Sequence, residues 1–249
     1  MDFTVDLNAD LGEGAAREGE LLALVTSANI ACGFHAGSAV MMRESILAAR
    51  EANVAVGAHP GFDDRDNFGR REVSVPADEL FALVVYQVGA FSAMAQALGL
   101  RVQHVKPHGA LYNMAARAEA VADAVVRAVC AVDPQLMIFA PDASALSRAG
   151  EAKDLRVVRE VFADRNYMAD GSLVPRAHPQ ALLHDPVGAA DRVFRMLREE
   201  KVRALDGSDV TLRADTICVH GDTPGAVEFA RDLRLALHQS GIVAAAPRE

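Results

Sequence analysis

The sequence predicts an α/β fold, an irregular TIM-like barrel of seven parallel strands with helices outside. Three observations predict it. Short apolar or alternating stretches recur between amphipathic helical patterns along all 249 residues, which is the signature of parallel β–α units. Several strands pair one bulky apolar face with one polar or small face. A doubly wound sheet would bury both faces and read as near-continuous apolar runs. His35, His59, His108 and His220 fall at or just beyond predicted C-terminal strand ends, where barrels of this kind collect reactive groups.

The elements follow in order. A strand over 3–8 runs into TVDLNAD, with Val5, Leu7 and Ala9 on one face and Asp6, Asn8 and Asp10 on the other, because strand side chains alternate. A strand over 28–33 sets Ile30, Cys32 and Phe34 against Asn29, Ala31, Gly33 and His35, and a helix over 39–52 follows. A strand over 54–58 opposes Val54 and Val56 to Ala55, Gly57 and His59. An irregular segment, 60–76, leads to a helix over 78–99 that Gly99 stops. The strand over 102–106 opposes Val105 to His104, Lys106 and, if extended, His108. A helix over 115–132 ends at Asp133-Pro134. A strand over 136–140, a helix over 142–149 and a strand over 156–162, whose pattern groups Glu160 with Asp164, come next. After a second irregular segment, 165–186, come a helix over 187–201, a strand over 215–220 and a helix over 224–240 that Gly241 stops. No linker-like or low-complexity segment divides 1–249, so one domain is expected. Long irregular segments in a compact domain are functional or disordered.

Composition excludes several classes. Hydrophobic residues make up 51% and aromatics 5%, with no Trp, so Ala, Val and Leu must pack the core. The net charge of −9 argues against a general nucleic-acid binder. Cys32, Cys130 and Cys218 have no CxxC spacing and form neither a disulfide framework nor a zinc ribbon. No secretory leader is visible and no run reaches about 18 consecutive apolar residues, so a cytoplasmic protein without a membrane span is expected.

Each candidate group has a bland reading beside its chemical one. Asp6, Asn8 and Asp10 form either a solvated edge or an inward face that offers a base or a cation site. The four histidines are structural, or bind a metal, or move protons; no HExxH spacing is present. Lys106 on an interior face needs a carboxylate partner or serves an oxyanion. Arg70 and Arg71 of FGRR are solvated, or bind a carboxylate or phosphate. There is no Walker motif and no GxSxG elbow around Ser27 or Ser38.

DLNADLGEG (6–14), SANIACGFHAG (27–37), GAHPGF (57–62), FGRR (68–71), YQVGA (86–90), VKPHGALYN (105–113), FADRNY (162–167) and CVHGD (218–222) together resemble the LamB/YcsF family. The resemblance implies a barrel similar to the polysaccharide deacetylase and glycoside hydrolase superfamily. It implies the A subunit of a 5-oxoprolinase, which opens 5-oxo-L-proline to L-glutamate with ATP as co-substrate and works with subunits B and C. On this reading Asp10, Asp6, Lys106 and His108 are the catalytic candidates. Asn8, Asn29, His35, His59, Arg70, Arg71, Asn113, Glu160, Arg165, His220 and Asp222 are the substrate-binding candidates. A divalent metal is left open, with Asp10, His35 and His59 as candidate ligands. Two departures from the family pattern stand out: Ser38 replaces the usual Asp, and the segment after Gly14 is short. The competing classes are a stand-alone metal-dependent amide or carbohydrate hydrolase and a non-catalytic binding subunit. Convergence of the polar residues on one site would argue against the last.

Overall fold

The parity of the strands decides the architecture. The computed structural model describes residues 3–183, 186–219 and 225–248. The barrel strands are β1 (Phe3–Leu11), β2 (Ser27–Ala31), β3 (Ala55–His59), β4 (His104–Val105), β5 (Met137–Ala140), β6 (Val157–Phe162) and β9 (Thr216–Val219). All pair in parallel in that order, and β9 pairs back onto β1 to close the ring. This is the seven-stranded barrel that the sequence predicts. Register fixes what meets inside: Asp10 lies opposite Asn29, Asn29 opposite Gly57, Gly57 opposite His104, and Glu160 opposite Thr216.

The helices α1 (Glu18–Leu22), α2 (Ala39–Glu51), α3 (Ala77–Ala97), α4 (Gly109–Arg117), α5 (Glu119–Val132), α6 (Ala145–Glu151), α7 (Pro186–Glu199) and α8 (Ala226–Gln239) accompany the ring. A short antiparallel pair, β7 (Lys201–Arg203) and β8 (Asp209–Thr211), follows α7, and β10 (Ile242–Ala244) adds to the start of β1. The main core lies between the outer faces of the strands and the inner faces of the helices, with Val5, Leu7, Ile30, Val56, Val105, Ile138 and Ile217 all buried. Each fully buried Val, Leu or Ile is worth about 1.5–3 kcal/mol relative to exposure. By length and composition α3 could cross a membrane, but its Leu80, Val84, Gln87, Val88, Phe91 and Ala95 are buried, and it packs on α5, α2 and β3.

Three details correct the sequence expectations. The helix over 115–132 is two helices, α4 and α5, separated at Ala118, which is extended (φ −113°, ψ 111°). MAARAEAVAD contains no breaker. Ala115 and Ala122 on either side of the break are both buried, and no residue type in the stretch accounts for it. Second, α1, the β7–β8 pair and β10 carry too little apolar periodicity to be read from sequence. Third, β4 is shorter than 102–106, although its pairing continues as Lys106 N–H donates to Ala58 O and His108 N–H to Pro60 O. Pro107 between them has no N–H to give. The family-pattern departure at Ser38 has a plain role, since its hydroxyl caps α2 by accepting from Met41 N–H at 3.2 Å. Asp would cap the same position equally well.

Gly57 shows how closely the interior is fitted. A Cβ there would lie 2.2 Å from the His104 ring. The missing side chain lets that ring stack on Phe139 at 4.0 Å and bond Asn29. Gly57→Ala should therefore lower stability by at least about 1–3 kcal/mol, the usual penalty for overpacking. An unchanged thermal midpoint would remove this account of Gly57.

Candidate functional site

The barrel interior is built in tiers. At its floor Asp6 is 1% exposed. It accepts hydroxyl hydrogen bonds from Thr26 (2.6 Å), Ser27 (2.8 Å) and Thr216 (2.5 Å). Burial dominates its titration and raises the carboxyl to about 6, although the three hydroxyls pull the other way. Asp6 thus ties β1 to β2 and β9 below the site, which differs from the catalytic place expected for it.

Above it Asn8 spends its whole amide on neighbours. Its Nδ2 donates to Thr216 Oγ1 (2.7 Å) and Glu160 Oε1 (3.0 Å), and its Oδ1 accepts from Asn29 Nδ2 (2.7 Å) and Lys106 Nζ (3.2 Å). Asn29 Nδ2 also reaches Asp10 Oδ1 (2.9 Å), and Asn29 Oδ1 faces His104 Nε2 at 2.7 Å. His104 is fully buried, which drops its pKa to about 3, so the neutral ring donates from Nε2 to Asn29. Asn8 and Asn29 therefore orient charged neighbours.

The middle tier is an ion cluster. Lys106 Nζ lies 2.9 Å from both Asp10 Oδ1 and Glu160 Oε1, and 3.1 Å from Cys218 Sγ. Burial opposes the charge on Lys106, but the carboxylates of Asp10 and Glu160 outweigh it and hold the ammonium well above its ordinary range. Burial drives the Cys218 thiol upward, so it meets the ammonium as a neutral sulfur and not as a nucleophile. Two buried polar atoms beside this cluster, Glu160 Oε2 and Tyr112 Oη, have no hydrogen-bond partner among the described residues. Burial, and then the Glu160 carboxylate beside it, hold the Tyr112 phenol well above its ordinary range, so these two groups are neighbours.

The upper tier holds His59 at the end of β3, His108 at the N-cap of α4, and Glu13 and His35 from the loops after β1 and β2. The loop 12–15 is wrapped on the Glu18 carboxylate, which accepts N–H bonds from Gly12, Glu13, Gly14 and Ala15 at 2.9–3.1 Å. The loop after β3 is locked from α3, where Gln87 accepts from Gly61 N–H and donates to Gly61 O, both at 2.9 Å. Side chains on Gly61 or Gly69 would strike His35, with Cβ positions 2.6 Å from its Nδ1 and 2.7 Å from its Cβ. His35 and His108 stack at 3.8 Å and His59 meets both edge-on. His35 Nε2 lies 3.1 Å from Glu13 Oε1, and His59 Nε2 lies 3.4 Å from Asp10 Oδ2. Burial lowers the pKa of His35 to about 3 and lowers that of His108. Burial also opposes charge on His59, but Asp10 overcomes it and raises that ring. Burial opposes the charge on Glu13, but its close contacts with His108 and His35 outweigh that and hold its carboxyl well below the usual carboxylate range.

Of the groups expected from sequence, Asp10, Asn8, Asn29, His35, His59, Lys106, His108 and Glu160 converge. Arg165 is 6% exposed, donates from Nη2 to Val174 O at 2.7 Å, and has no hydrogen-bond partner for Nε among the described residues. Arg70 and Arg71 do not join the interior. Both are exposed, Arg70 over the Phe68 ring at 4.8 Å and Arg71 paired with Asp64 at 3.3 Å. Asn113 is exposed on α4. These three corrections share a cause: motif membership does not say which face of a loop or helix looks inward. His220 and Asp222 lie outside the described residues. Sequence reasoning missed Glu13, Glu18, Gln87 and Tyr112. Glu13 sits between glycines and belongs to no strand, so no parity signal marked it.

Comparison with known proteins is consistent across the chain. The sequence model of the LamB/YcsF family matches residues 5–249. The 5-oxoprolinase A subunit of Geobacillus kaustophilus (strain HTA426) is 51% identical over 249 residues, covering 98% of this chain and 97% of that protein. The crystal structure of a lactam utilization protein from Thermus thermophilus is 46% identical and superposes with a TM-score of 0.92, covering 98% of this chain and all of that one. A putative cellobiose-phosphate cleavage protein from Enterococcus faecalis V583 shares the fold at 14% identity, TM-score 0.58, with 98% and 97% covered.

Two outcomes follow from the tiers. Lys106→Met leaves Asp10 and Glu160 without their buried counter-charge and should destabilise by about 3–5 kcal/mol, with part recovered in Lys106→Met/Glu160→Gln; urea denaturation decides, and a single variant as stable as the parent refutes the pairing. For Asp6, the folded pKa of about 6 exceeds the ordinary 3.8. Its contribution is therefore present below the unfolded value and lost as pH rises through the folded one. Relative to the parent, Asp6→Asn should gain up to about 3 kcal/mol between about pH 4 and pH 7. A pH-independent difference between the two proteins would contradict this.

Proposed function

The chain belongs to the LamB/YcsF family, and from that premise we propose that it is the A subunit of a 5-oxoprolinase, opening the lactam of 5-oxo-L-proline to L-glutamate with hydrolysis of ATP. The observation that carries the reading is the position of Asp10, held between the Lys106 ammonium and His59 Nε2. Its side chain is 12% exposed, against 4% for Lys106 and 0% for Glu160. A carboxylate fixed in this way is poised to take a proton from water beside a positive charge that favours a developing oxyanion.

A five-membered lactam closes readily, since its amine and carboxyl are held in one molecule, and opening needs coupling to ATP. In the proposed sequence the lactam oxygen attacks the γ-phosphorus of ATP and ADP leaves. Water then adds to the activated ring carbon and gives its proton to Asp10. The carbon–nitrogen bond breaks, the ring nitrogen takes a proton and departs as the amine, and a second water hydrolyses the acyl phosphate to glutamate and phosphate. Lys106 and His108 face the oxygen and phosphate. Glu160 Oε2 accepts from the lactam N–H, Tyr112 donates to a substrate oxygen, and Arg165 holds the carboxylate. Subunits B and C complete the enzyme. The convergence of ionisable groups in one interior favours this reading over a non-catalytic binding subunit.

Asp10→Asn, assembled with the partner subunits, should lose 5-oxoproline-dependent ADP and glutamate formation by about 10²–10⁴-fold, the usual worth of a general base, and should still fold, with a lowered thermal midpoint because Lys106 keeps only Glu160 as counter-charge. Full turnover by this variant would remove Asp10 from the reaction. Absence of any 5-oxoproline-dependent turnover by the assembled parent would reject the function itself.

A further inference from the structure

We propose that Glu13, His59 and His108 form a binding site for one divalent transition-metal ion of the zinc class, with His35 orienting Glu13 and Asp10 flanking the open side. The argument begins with the outward nitrogens. His59 Nδ1 lies 2.6 Å from Lys106 O, and His108 Nε2 lies 2.8 Å from Phe68 O. A backbone carbonyl only accepts, so each of these nitrogens carries a proton. The inward nitrogens, His59 Nε2 and His108 Nδ1, face each other at 2.9 Å, and with a cation between them both present lone pairs.

Glu13 Oε1 lies 3.3 Å from His108 Nδ1 and 3.7 Å from His59 Nε2. Three potential donor atoms, from the loop after β1, the end of β3 and the start of α4, converge on one point that a cation would fill. Ligand atoms about 2.0–2.1 Å from zinc at tetrahedral corners stand about 3.4 Å apart, and the three spacings bracket that edge. A single shared proton could satisfy the nitrogen pair in line, yet it would not explain why the carboxylate oxygen closes the third corner. A backbone carbonyl on the far nitrogen of each histidine is also how metal-ligating imidazoles are held in their tautomer.

His35 completes the arrangement from outside. Its Nδ1 is buried without a hydrogen-bond partner among the described residues and lies against Gly61, so the ring proton sits on Nε2 and is donated to Glu13 Oε1. That bond aims the carboxylate, while Glu18 fixes the Glu13 backbone. Two imidazoles and one carboxylate suit a borderline divalent ion better than magnesium or calcium, which favour all-oxygen shells. A bound cation would polarise an oxygen or activate water, and Asp10 Oδ2, 3.4 Å from His59 Nε2, would face that position. This inference stands on donor geometry alone and does not depend on the substrate proposed above.

The test uses the full chain, stripped with chelator and dialysed, without substrate or partner subunits. Zinc titration by calorimetry and elemental analysis should show one ion per chain with a Kd of about 1 µM or tighter, and a raised thermal midpoint. Cobalt should give the visible absorption of a four-coordinate site. Glu13→Gln and His108→Asn should each weaken binding at least 100-fold. His178→Asn/His238→Asn, at two exposed histidines, should bind as the parent does and so separates this site from adventitious surface binding. Should either ligand variant fail to fold, the cobalt spectrum of the other carries the test. No stoichiometric uptake by the parent, or uptake that Glu13→Gln and His108→Asn leave unchanged, would overturn the site and leave a shared proton between the two rings. Neither result depends on 5-oxoproline turnover, so failure here and failure of the enzymatic reading are read separately.

Discussion

Lys106 brings a full positive charge into a barrel interior where water cannot solvate it, and Asp10 and Glu160 meet it there at 2.9 Å each. None of the three would be tolerable alone, since an unpaired buried charge is among the most destabilising features a fold can carry. Together they dictate the rest of the interior. Glu160 Oε1 fixes one end of the Asn8 amide, Lys106 fixes the other, and Asn29 is then left to bridge Asn8, Asp10 and His104. The polar network runs through β1, β2, β4 and β6, so it ties the ring together as well as presenting Asp10.

The histidine group stands on different footing, because His59 ends β3 while Glu13, His35 and the segment covering His108 depend on loops. Loops keep a precise geometry only where their backbones are anchored, and here three anchors act. Glu18 gathers four N–H groups of 12–15, Gln87 of α3 clasps Gly61 on both sides of its peptide, and Arg65 donates to Gly33 O and Gly37 O. Gly61 and Gly69 let the backbone come within contact of His35. The glycines of these motifs thus make room for imidazoles, a use of glycine that needs no unusual turn at Gly61.

Two chemistries meet where these systems touch. Asp10 belongs to the ion cluster through Oδ1 and reaches the histidine group through Oδ2. A change in the protonation or occupancy of the histidine group is therefore felt by the same carboxylate that balances Lys106. The inner tiers are closely paired, and Asp10, 12% exposed, is the member of the ion cluster that reaches towards the histidine group.

The amino-acid sequence by itself determined the barrel and its polar interior. Alternation in TVDLNAD places Asp6, Asn8 and Asp10 on one face, and the same parity in the strands carrying Asn29, Gly57, His104 and Glu160 puts them in one space once the sheet closes. Strand periodicity is local, so it is legible. What tertiary structure alone decided is which polar groups act and which support. Asp6 and Asp10 have the same parity, but three hydroxyls from β2, its preceding turn and β9 bind Asp6, residues far apart in the chain. Glu13, Glu18 and Gln87 have no periodic signature, because loop anchoring depends on through-space partners. Arg70, Arg71 and Asn113 share motifs with site residues yet point to solvent, since a motif specifies neighbours along the chain and not the direction in which a loop or helix turns its side chains. The split between α4 and α5 is likewise invisible in the sequence, because an alanine-rich stretch is helical by propensity and nothing in it marks Ala118 as the break.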